Sequence, residues 1–239
     1  DLYQDHVIIR DDNGGGISNS NTTGIGTLSG TDDNTLVTVN SGNLTADPGV
    51  EIWVWTGDTY QPGGTVATDQ GDLTIQGTLD TSTGGPFNVT VGGDWTNNGT
   101  YTSGNNTTIF NGTANQNVDA GGSSFNNVTK SGGSRLQVIN NAFNVGGTLN
   151  IGSSGDTVDM GSQNFSVGTL DNTGVLELEG TQTTQSISTM DTNSGVVEYN
   201  GAAGGTVRLG SFHDLRINSG GNTFNLNFNP TTIAQDVLL

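Results

Sequence analysis

The segment SGGSRLQVINNAFNVGGTLNI, residues 131–151, can be laid over SGGNTFNLNFNPTTIAQDVLL, residues 219–239, without a gap. The overlay keeps apolar residues in register in four pairs: Leu136 with Phe224, Val138 with Leu226, Val145 with Ile233 and Leu149 with Val237. Weaker matches upstream keep nearly the same separation of 88 residues. An internal repeat that preserves its apolar register indicates structural units that stack on one another.

A repeat of this length is too long for a single coil, but it divides into about four coils of roughly 20 to 24 residues. Short apolar clusters alternate with Gly, Asn and Ser turns, which favours two or three short strands per coil. A β-sandwich also has regular short strands, yet only stacked coils require a repeating apolar register. The sequence therefore predicts an all-β fold, a β-solenoid of the parallel β-helix type. With some 8 to 11 coils at about 4.8 Å, the rod would be about 40 to 50 Å long.

The composition supports this fold class and excludes several partners. The 239 residues include 39 Gly, no Cys and only five basic residues, and the net charge is −18. Low hydrophobicity with high charge can indicate disorder, but alternating apolar pairs such as Leu73/Ile75 and Val89/Val91 favour half-buried strands. Disulfides and thiolate metal sites are excluded. The acidic field would repel nucleic acid and anionic membrane surfaces, so we expect neither nucleic-acid binding nor direct membrane insertion.

Several phrases in the chain resemble a known class of repeats. VGGDWTNNGTYTSGNNTTIFNG, SSFNNVTKSGG, FNVGGTLNIGS and SFHDLRINSGG are similar to the degenerate repeats of bacterial and archaeal extracellular surface proteins of the adhesin and haemagglutinin-like class. The resemblance covers roughly residues 64–239. It implies a β-solenoid and an elongated molecule at the cell surface, and it does not separate adhesins from fibres or stalks.

The first 60 residues depart from these repeats, so the sequence predicts an N-terminal element over 1–60 and solenoid repeats over 61–239. The N-terminal element contains a strand, a Gly/Asn-rich segment and the unusual EIWVW run, residues 51–55. Strand alternation places Ile52 and Val54 on one face and Trp53 and Trp55 on the other. With Tyr60, the indoles could form a protein-docking or glycan-binding patch. The alternative is a cap that packs over the first coil.

Enzymatic and metal chemistry receive little support from the residues. The two histidines, His6 and His213, are not near a nucleophile motif, and we expect no catalytic residues. A polysaccharide-active enzyme using Asp11, Asp12, Asp32 and Asp33 is a minor alternative. The runs DDNGGG (11–16) and TDDN (31–34) could attract calcium, but neither has a known calcium-loop spacing. We therefore predict no metal site and no cofactor.

Sequons are frequent in this Asn- and Thr-rich chain. The candidate N-glycosylation sites are Asn21, Asn43, Asn98, Asn106 and Asn111, and further sequons occur at Asn88, Asn105, Asn127 and Asn164. Glycans would decorate turns in a host that glycosylates exported proteins. The alternative, which we prefer at most of these positions, is that Asn side chains form ladders between stacked coils.

The two ends of the sequence suggest how copies could associate. The segment 2–10 is an apolar strand without Gly, whereas 237–239 coincides with the interior of a repeat. The predicted assembly interface comprises Leu2, Tyr3, Val7, Ile8, Ile9, Val237, Leu238 and Leu239. A contact that joins these strands head to tail without closing generates a filament, and the partner is then the chain itself. Alternatively, the chain is a cut piece of a longer protein whose other coils cover the edge.

These observations predict a structural subunit of an extracellular filament, stalk or sheath, assembled head to tail by β-strand complementation. The alternative is an adhesin fragment that binds a receptor or glycan. The chain starts at Asp1 without a leader segment, which favours a mature or excised segment. An extracellular or cell-surface location is therefore an expectation from the resemblance and the composition.

Overall fold

The computed structural model confirms the predicted fold class: the chain is all-β, and its parallel strands stack as a β-solenoid of about nine turns. The structure describes the backbone of residues 6–9, 36–38, 43–46, 48–49, 51–218, 220–227 and 232–238, with side chains from Asn43 onward apart from Thr232. Within these ranges there is no helix. Accordingly, no described helix has the length and apolar character needed to cross a membrane.

We number the 28 described strands in chain order and group them by sheet. The long sheet contains β1 (His6–Ile9), β4 (Glu51–Val54), β7 (Leu73–Ile75), β10 (Trp95–Asn97), β13 (Gln116–Asp119), β16 (Arg135–Val138), β18 (Thr157–Asp159), β20 (Val175–Leu178), β22 (Val196–Tyr199), β25 (Asp214–Ile217) and β28 (Val237–Leu238). The nine-stranded sheet contains β3 (Leu44–Thr45), β6 (Val66–Ala67), β9 (Val89–Val91), β12 (Thr107–Phe110), β15 (Asn127–Lys130), β17 (Phe143–Ile151), β19 (Phe165–Asn172) and β21 (Gln185–Thr189), with β14 (Ser124–Phe125) beside β17.

The remaining strands form smaller sheets. The short sheet contains β2 (Leu36–Thr38), β5 (Thr59–Gln61), β8 (Thr78–Asp80) and β11 (Thr100–Thr102). Two pairs complete the set: β23 (Gly205–Val207) with β26 (Phe224–Leu226), and β24 (Ser211–Phe212) with β27 (Thr232–Ile233). Each coil therefore visits the long sheet once and reaches the next coil through a parallel neighbour, as stacked coils require.

The core is a set of in-register columns that run along the solenoid. In the long sheet the buried side chains of Ile52, Leu73, Trp95, Val118 and Val138 are register partners in successive coils. Strand alternation places every second residue in the interior, so one or two apolar residues per strand fill it. A cluster of five aromatic rings packs in the middle: Trp95, Tyr101, Phe110, Phe125 and Phe143.

Asn and Asp side chains connect one coil to the next at the starts of strands. The Oδ1 atom of Asn88 accepts from the backbone N–H of Thr107 at 3.0 Å, and Oδ1 of Asn127 accepts from the N–H of Thr148 at 2.9 Å. Asp94 accepts from the N–H of Asn117 at 2.7 Å in the same way. These bonds satisfy backbone donors that would otherwise lack a partner at the turns. They explain why the turns are rich in these residue types.

The 88-residue overlay does not match equivalent positions of the coils, although it led to the correct fold class. Leu136 lies in the long sheet, whereas its overlay partner Phe224 lies in the two-stranded β23–β26 sheet. From β4 to β28, register partners of the long sheet are 18 to 23 residues apart, whereas those of β1 and β4 are 45 apart. The four coils from Leu136 to Leu215 span 79 residues. The overlay aligned strands with strands and turns with turns, but it placed residues of one sheet on residues of another.

The predicted boundary at residue 60 falls inside a strand. Thr59–Gln61 pairs with Leu36–Thr38 on one side and with Thr78–Asp80 on the other. The EIWVW segment is also part of the solenoid, because Glu51–Val54 pairs with both β1 and β7 in the long sheet. Its alternation was predicted correctly: Ile52 and Val54 are fully buried and the two tryptophans are half-buried on the outer face. The segment therefore forms a coil of the stack.

The outer faces of the two large sheets differ in charge. Outward positions of the long sheet include six carboxylates and two arginines: Glu51, Asp119, Asp159, Glu177, Glu198, Asp214, Arg135 and Arg216. We call the outer face of the nine-stranded sheet the neutral face. Its outward positions are Thr45, Ala67, Thr90, Thr107, Ile109, Asn127, Thr129, Thr148, Asn150, Thr169, Asp171 and Thr189. Among these described positions only Asp171 is charged.

Candidate functional site

The outer face of the long sheet carries the aromatic pair expected from the sequence. The rings of Trp53 and Trp55 have centroids 5.5 Å apart and planes tilted by 37°. The indole N–H of Trp53 donates to the Glu51 carboxylate, and the Thr74 hydroxyl donates to the same oxygen at 2.6 Å. The carboxylate thus fixes one indole against the next coil. An ordered aromatic pair beside hydroxyl and carboxylate groups can stack on a planar partner or anchor a protein contact.

Tyr60 does not belong to this aromatic patch, contrary to the sequence-based expectation. Its side chain is only 2% exposed, and burial raises the pKa of its phenol. Register partners place Tyr60 between Val37 and Leu79 in the short sheet, in a column that continues to Tyr101. The turn between β4 and β5 directs this strand into a different sheet, so proximity in sequence to the tryptophans does not place Tyr60 beside them.

Further along the long sheet, three carboxylates lie on successive coils. Asp159, Glu177 and Glu198 are register partners. Arg135 joins the first two, with Nη1 at 2.5 Å from Asp159 and Nη2 at 2.7 Å from Glu177, and Arg216 binds Glu198 at 2.8 Å. Burial raises the pKa of Glu177; Asp159 and Glu198 act in the same direction, whereas Arg135 opposes it. We call these five side chains the charge ladder.

The charge ladder makes a pH-dependent prediction for Arg135→Ala. Because the folded-state pKa of Glu177 is raised, folding favours the protonated form, and stability from this group is lost as pH rises through that pKa. Removing Arg135 leaves adjacent carboxylates without their shared cation. We expect the free energy of unfolding at pH 7 to fall by about 1 kcal/mol, since the arginine is partly exposed. The loss should shrink as pH falls and the carboxylates protonate.

Urea unfolding of wild type and Arg135→Ala at pH 7 and near pH 4 measures this difference. Arg208→Ala is the control, because the Arg208 Nε donates to the carbonyl of Gln182 and, among the described residues, Arg208 has no hydrogen bond to a carboxylate of the ladder. A deficit of Arg135→Ala that is equal at both pH values would contradict the electrostatic role of the ladder.

The sequons occupy different environments. Asn98 and Asn111 are exposed, and so is Asn43, although its Oδ1 accepts from the N–H of Thr65 at 2.9 Å. Asn106 is 1% exposed, and its amide donates to the Tyr101 hydroxyl at 2.8 Å. A glycan on Asn106 would require this coil to open. Asn21 lies outside the described residues.

Lys130 is a buried polar residue that sequence analysis did not single out. The side chain is fully buried, and its Nζ donates to the Ser131 carbonyl at 2.6 Å and to the Ser134 hydroxyl at 2.9 Å. Burial lowers the pKa of this amine, and Asp156 opposes the shift. The local sequence does not indicate this burial, because a lysine before SGG is typical of an exposed turn. Its neighbours Gly112 and Gln116 come from the preceding coil.

The described part of the chain contains no candidate metal centre. There, no group of three or more His, Cys, Asp or Glu side chains is arranged to hold a metal ion. The Nδ1 atom of His213 lies 3.4 Å from Oδ2 of Asp214. The acidic runs 11–16 and 31–34, with Asp11, Asp12, Asp32 and Asp33, lie outside the described residues.

The predicted assembly strands form the two ends of the long sheet. The backbone of Val7, Ile8 and Ile9 pairs with Ile52, Trp53 and Val54, which places β1 at one end of the described long sheet. At the other end, Val237 and Leu238 pair with Leu215 and Arg216. Val237 and Leu238 are each 49% exposed, and Leu226 in the same coil is 63% exposed. Leu2, Tyr3 and Leu239 lie outside the described residues.

Searches of family models, curated proteins and solved structures found nothing that matches this chain.

Proposed function

We propose that this chain is a structural subunit of an extracellular filament, stalk or sheath that assembles head to tail by β-strand pairing. The observation that supports it most is the continuous parallel register of the long sheet from β1 to β28. A parallel strand at the end of such a stack presents backbone N–H and C=O groups in the direction of the next strand. The same edge geometry recurs at both ends, so one copy can continue the sheet of another.

The register of the end strands specifies the junction. Val237 continues the column of Val197 and Leu215, and Val7 is the register partner of Ile52, which begins the same kind of inward column. If β28 of one copy lies beside β1 of the next with Val237 opposite Val7, the columns continue across the junction without a shift in register. Burial of the apolar residues exposed on the last coil would favour the contact. Each added copy of eleven strands would lengthen the stack by about 53 Å at about 4.8 Å per strand.

Negative-stain images of the purified chain test the proposal directly. We expect threads whose lengths are multiples of one subunit, and the double variant Ile8→Cys/Leu238→Cys should form a ladder of disulfide-linked multimers. The chain contains no native cysteine, so the background is clean. Ile8→Cys/Val237→Cys, shifted by one residue, is the control and should link poorly. Rods of unit length at every concentration, without a ladder, would contradict end-to-end assembly.

A second candidate function is a binding module, an adhesin fragment that holds a receptor or glycan. The ordered, outward pair of Trp53 and Trp55 supports it. The acidic groups around the pair favour a partner without negative charge, because Glu51 and Asp72 lie on the same face. Discrete rods in the same images, together with loss of partner binding in Trp53→Ala, would favour this function over the filament.

A further inference from the structure

Charge is distributed unevenly over the outer faces of the solenoid. The proposed end-to-end contact, which involves strand edges and apolar residues, does not explain this difference. The whole chain carries a net charge of −18, yet the neutral face presents a single charged side chain, Asp171, at one end of the described columns. The long sheet presents eight charged side chains on its outer face. Two copies that approach through the long sheet would bring carboxylates together. Of the two large sheets, the neutral face is the one through which two copies can meet with less repulsion.

The shape and chemistry of the neutral face are also self-complementary. Thr90, Ile109, Thr129 and Asn150 are register partners in one column, and Thr148 and Thr169 are partners in the adjacent column. In-register columns of small and β-branched residues form regular ridges that two sheets can interdigitate. Within the described residues, the hydroxyls of Thr129, Thr148 and Thr169 have no hydrogen-bond partner and can bond across a contact.

We infer that the neutral face is a lateral docking surface for a second copy of this chain. The contact pairs the two nine-stranded sheets face to face about a twofold axis. This inference adds a side-by-side contact to the proposed filament. The pairing of whole threads rests on the proposed function, whereas the contact between two single subunits does not. A neutral polysaccharide is the competing occupant of such a hydroxyl-rich face.

The area of the face predicts how strong the contact is. Eight strands at about 4.8 Å and a width of about three residues give roughly 340 Å² per copy, or about 700 Å² in total. Stable protein interfaces bury about 1,200 Å² or more. Single subunits therefore pair weakly, whereas two threads, which repeat the contact along their length, pair firmly. The contact should make paired threads the dominant form wherever threads exist.

Single-cysteine variants measure the lateral contact in solution, without requiring threads. Thr129→Cys places a thiol near the middle of the neutral face, and Thr96→Cys places one on the outer face of the long sheet. Both threonines are half-buried and outward on parallel strands. A short bismaleimide should link Thr129→Cys into dimers at least fivefold faster than Thr96→Cys. Each rate is normalised by the reaction of the same thiol with a small neutral monomaleimide, which removes differences in thiol reactivity.

A charge placed on the neutral face separates docking from general electrostatics. Thr148→Lys in the Thr129→Cys background lowers the net negative charge, so general repulsion would decrease and collisional linking would rise. Specific docking predicts the opposite, because two ammonium groups would meet across the twofold contact, and linking should fall at least fivefold. Equal rates for the two single variants, or faster linking with the lysine, would overturn the inference.

The remaining outcomes distinguish the inference from the proposed function. Single, unpaired threads together with equal linking rates would leave end-to-end assembly intact and overturn lateral docking. Fast linking at Thr129→Cys without threads would support lateral docking and contradict end-to-end assembly. If a soluble neutral glucan protects the Thr129→Cys thiol from monomaleimide while no dimer forms, the face belongs to a polysaccharide and the inference fails.

Discussion

Val145→Asp is expected to lower the free energy of unfolding by about 4 kcal/mol or more, which would unfold the surrounding coils. Val145 is 1% exposed and is the register partner of Phe125 in one coil and Val167 in the next. A carboxylate at this position would be surrounded by apolar side chains. Because each coil depends on its neighbours, the damage should spread beyond the substituted strand.

Two other aspartate variants serve as controls for Val145→Asp. Thr107→Asp changes an outward, half-buried side chain and should cost about 1 kcal/mol or less. Ile233→Asp should have an intermediate effect, because Ile233 lies in the last described coil and is only partly buried. Urea unfolding followed by far-UV circular dichroism gives the three values. Equal losses would show that the inward and outward faces have been misassigned.

The milder variant Val145→Thr keeps the prediction measurable if the aspartate protein does not fold. A hydroxyl at this buried site should cost about 1 to 3 kcal/mol, because it has nearly the shape of valine and gains no polar partner. The same substitution at Val175, a half-buried outward residue, should be close to neutral.

The sequence predicted the inward and outward faces well because alternation is a local property of a strand. The pairs Leu73/Ile75, Val89/Val91, Leu136/Val138 and Val158/Met160 are all buried, as their spacing indicates. The pair Phe224/Leu226 is different: Phe224 is partly buried and Leu226 is exposed. The pattern of that pair resembles the others, but the described structure places no further coil against it. Alternation along a strand determines which face a side chain lies on, and contact with a neighbouring coil determines whether that side chain is buried.

The sequence did not predict which residues occupy equivalent positions in successive coils, because the turns differ in length from coil to coil. Register partners such as Val158 and Leu176 are 18 residues apart, whereas Trp95 and Val118 are 23 apart. Two residues a fixed number of positions apart can therefore lie in different sheets when several coils separate them. Buried polar groups escaped prediction for a related reason. Besides partners close in sequence, Asn106 donates to the Thr81 hydroxyl, 25 residues away, and Lys130 donates to the Gln116 side chain, 14 residues away.

In the candidate site, too, features within one strand were predicted and features that depend on the stacking of coils were not. Trp53 and Trp55 were placed correctly on one outer face, since both lie on a single run of alternating residues. The charge ladder was not foreseen, because Asp159, Glu177 and Glu198 become neighbours only when three coils stack. The strands that carry them are about 4.8 Å apart, so Arg135 can bind Asp159 and Glu177 at once.

Gly99→Ala is expected to be the most damaging conservative change in the turns between the long and short sheets. A Cβ at residue 99 would lie 2.0 Å from the Gly77 carbonyl oxygen and 2.7 Å from the Gln76 carbonyl carbon. Both atoms are backbone, so no side-chain rotation relieves the overlap. The coils would have to separate, and that movement would break the bond from the Thr100 N–H to the Gly77 oxygen, which is 2.8 Å long. We expect a loss of about 3 kcal/mol or more in the free energy of unfolding.

Gly146→Ala is the matched control for Gly99→Ala, because its Cβ would meet only the Phe125 carbonyl oxygen, at 3.9 Å. This variant should be neutral or more stable by up to about 1 kcal/mol, since alanine restricts the unfolded chain. Gly77→Ala should resemble Gly99→Ala, as its Cβ would lie 2.1 Å from the Trp55 carbonyl oxygen. The double variant should cost less than the two single losses added together, because one separation of the coils relieves both overlaps. Urea midpoints that shift equally for Gly99→Ala and Gly146→Ala would show that close backbone contact does not hold these coils in place.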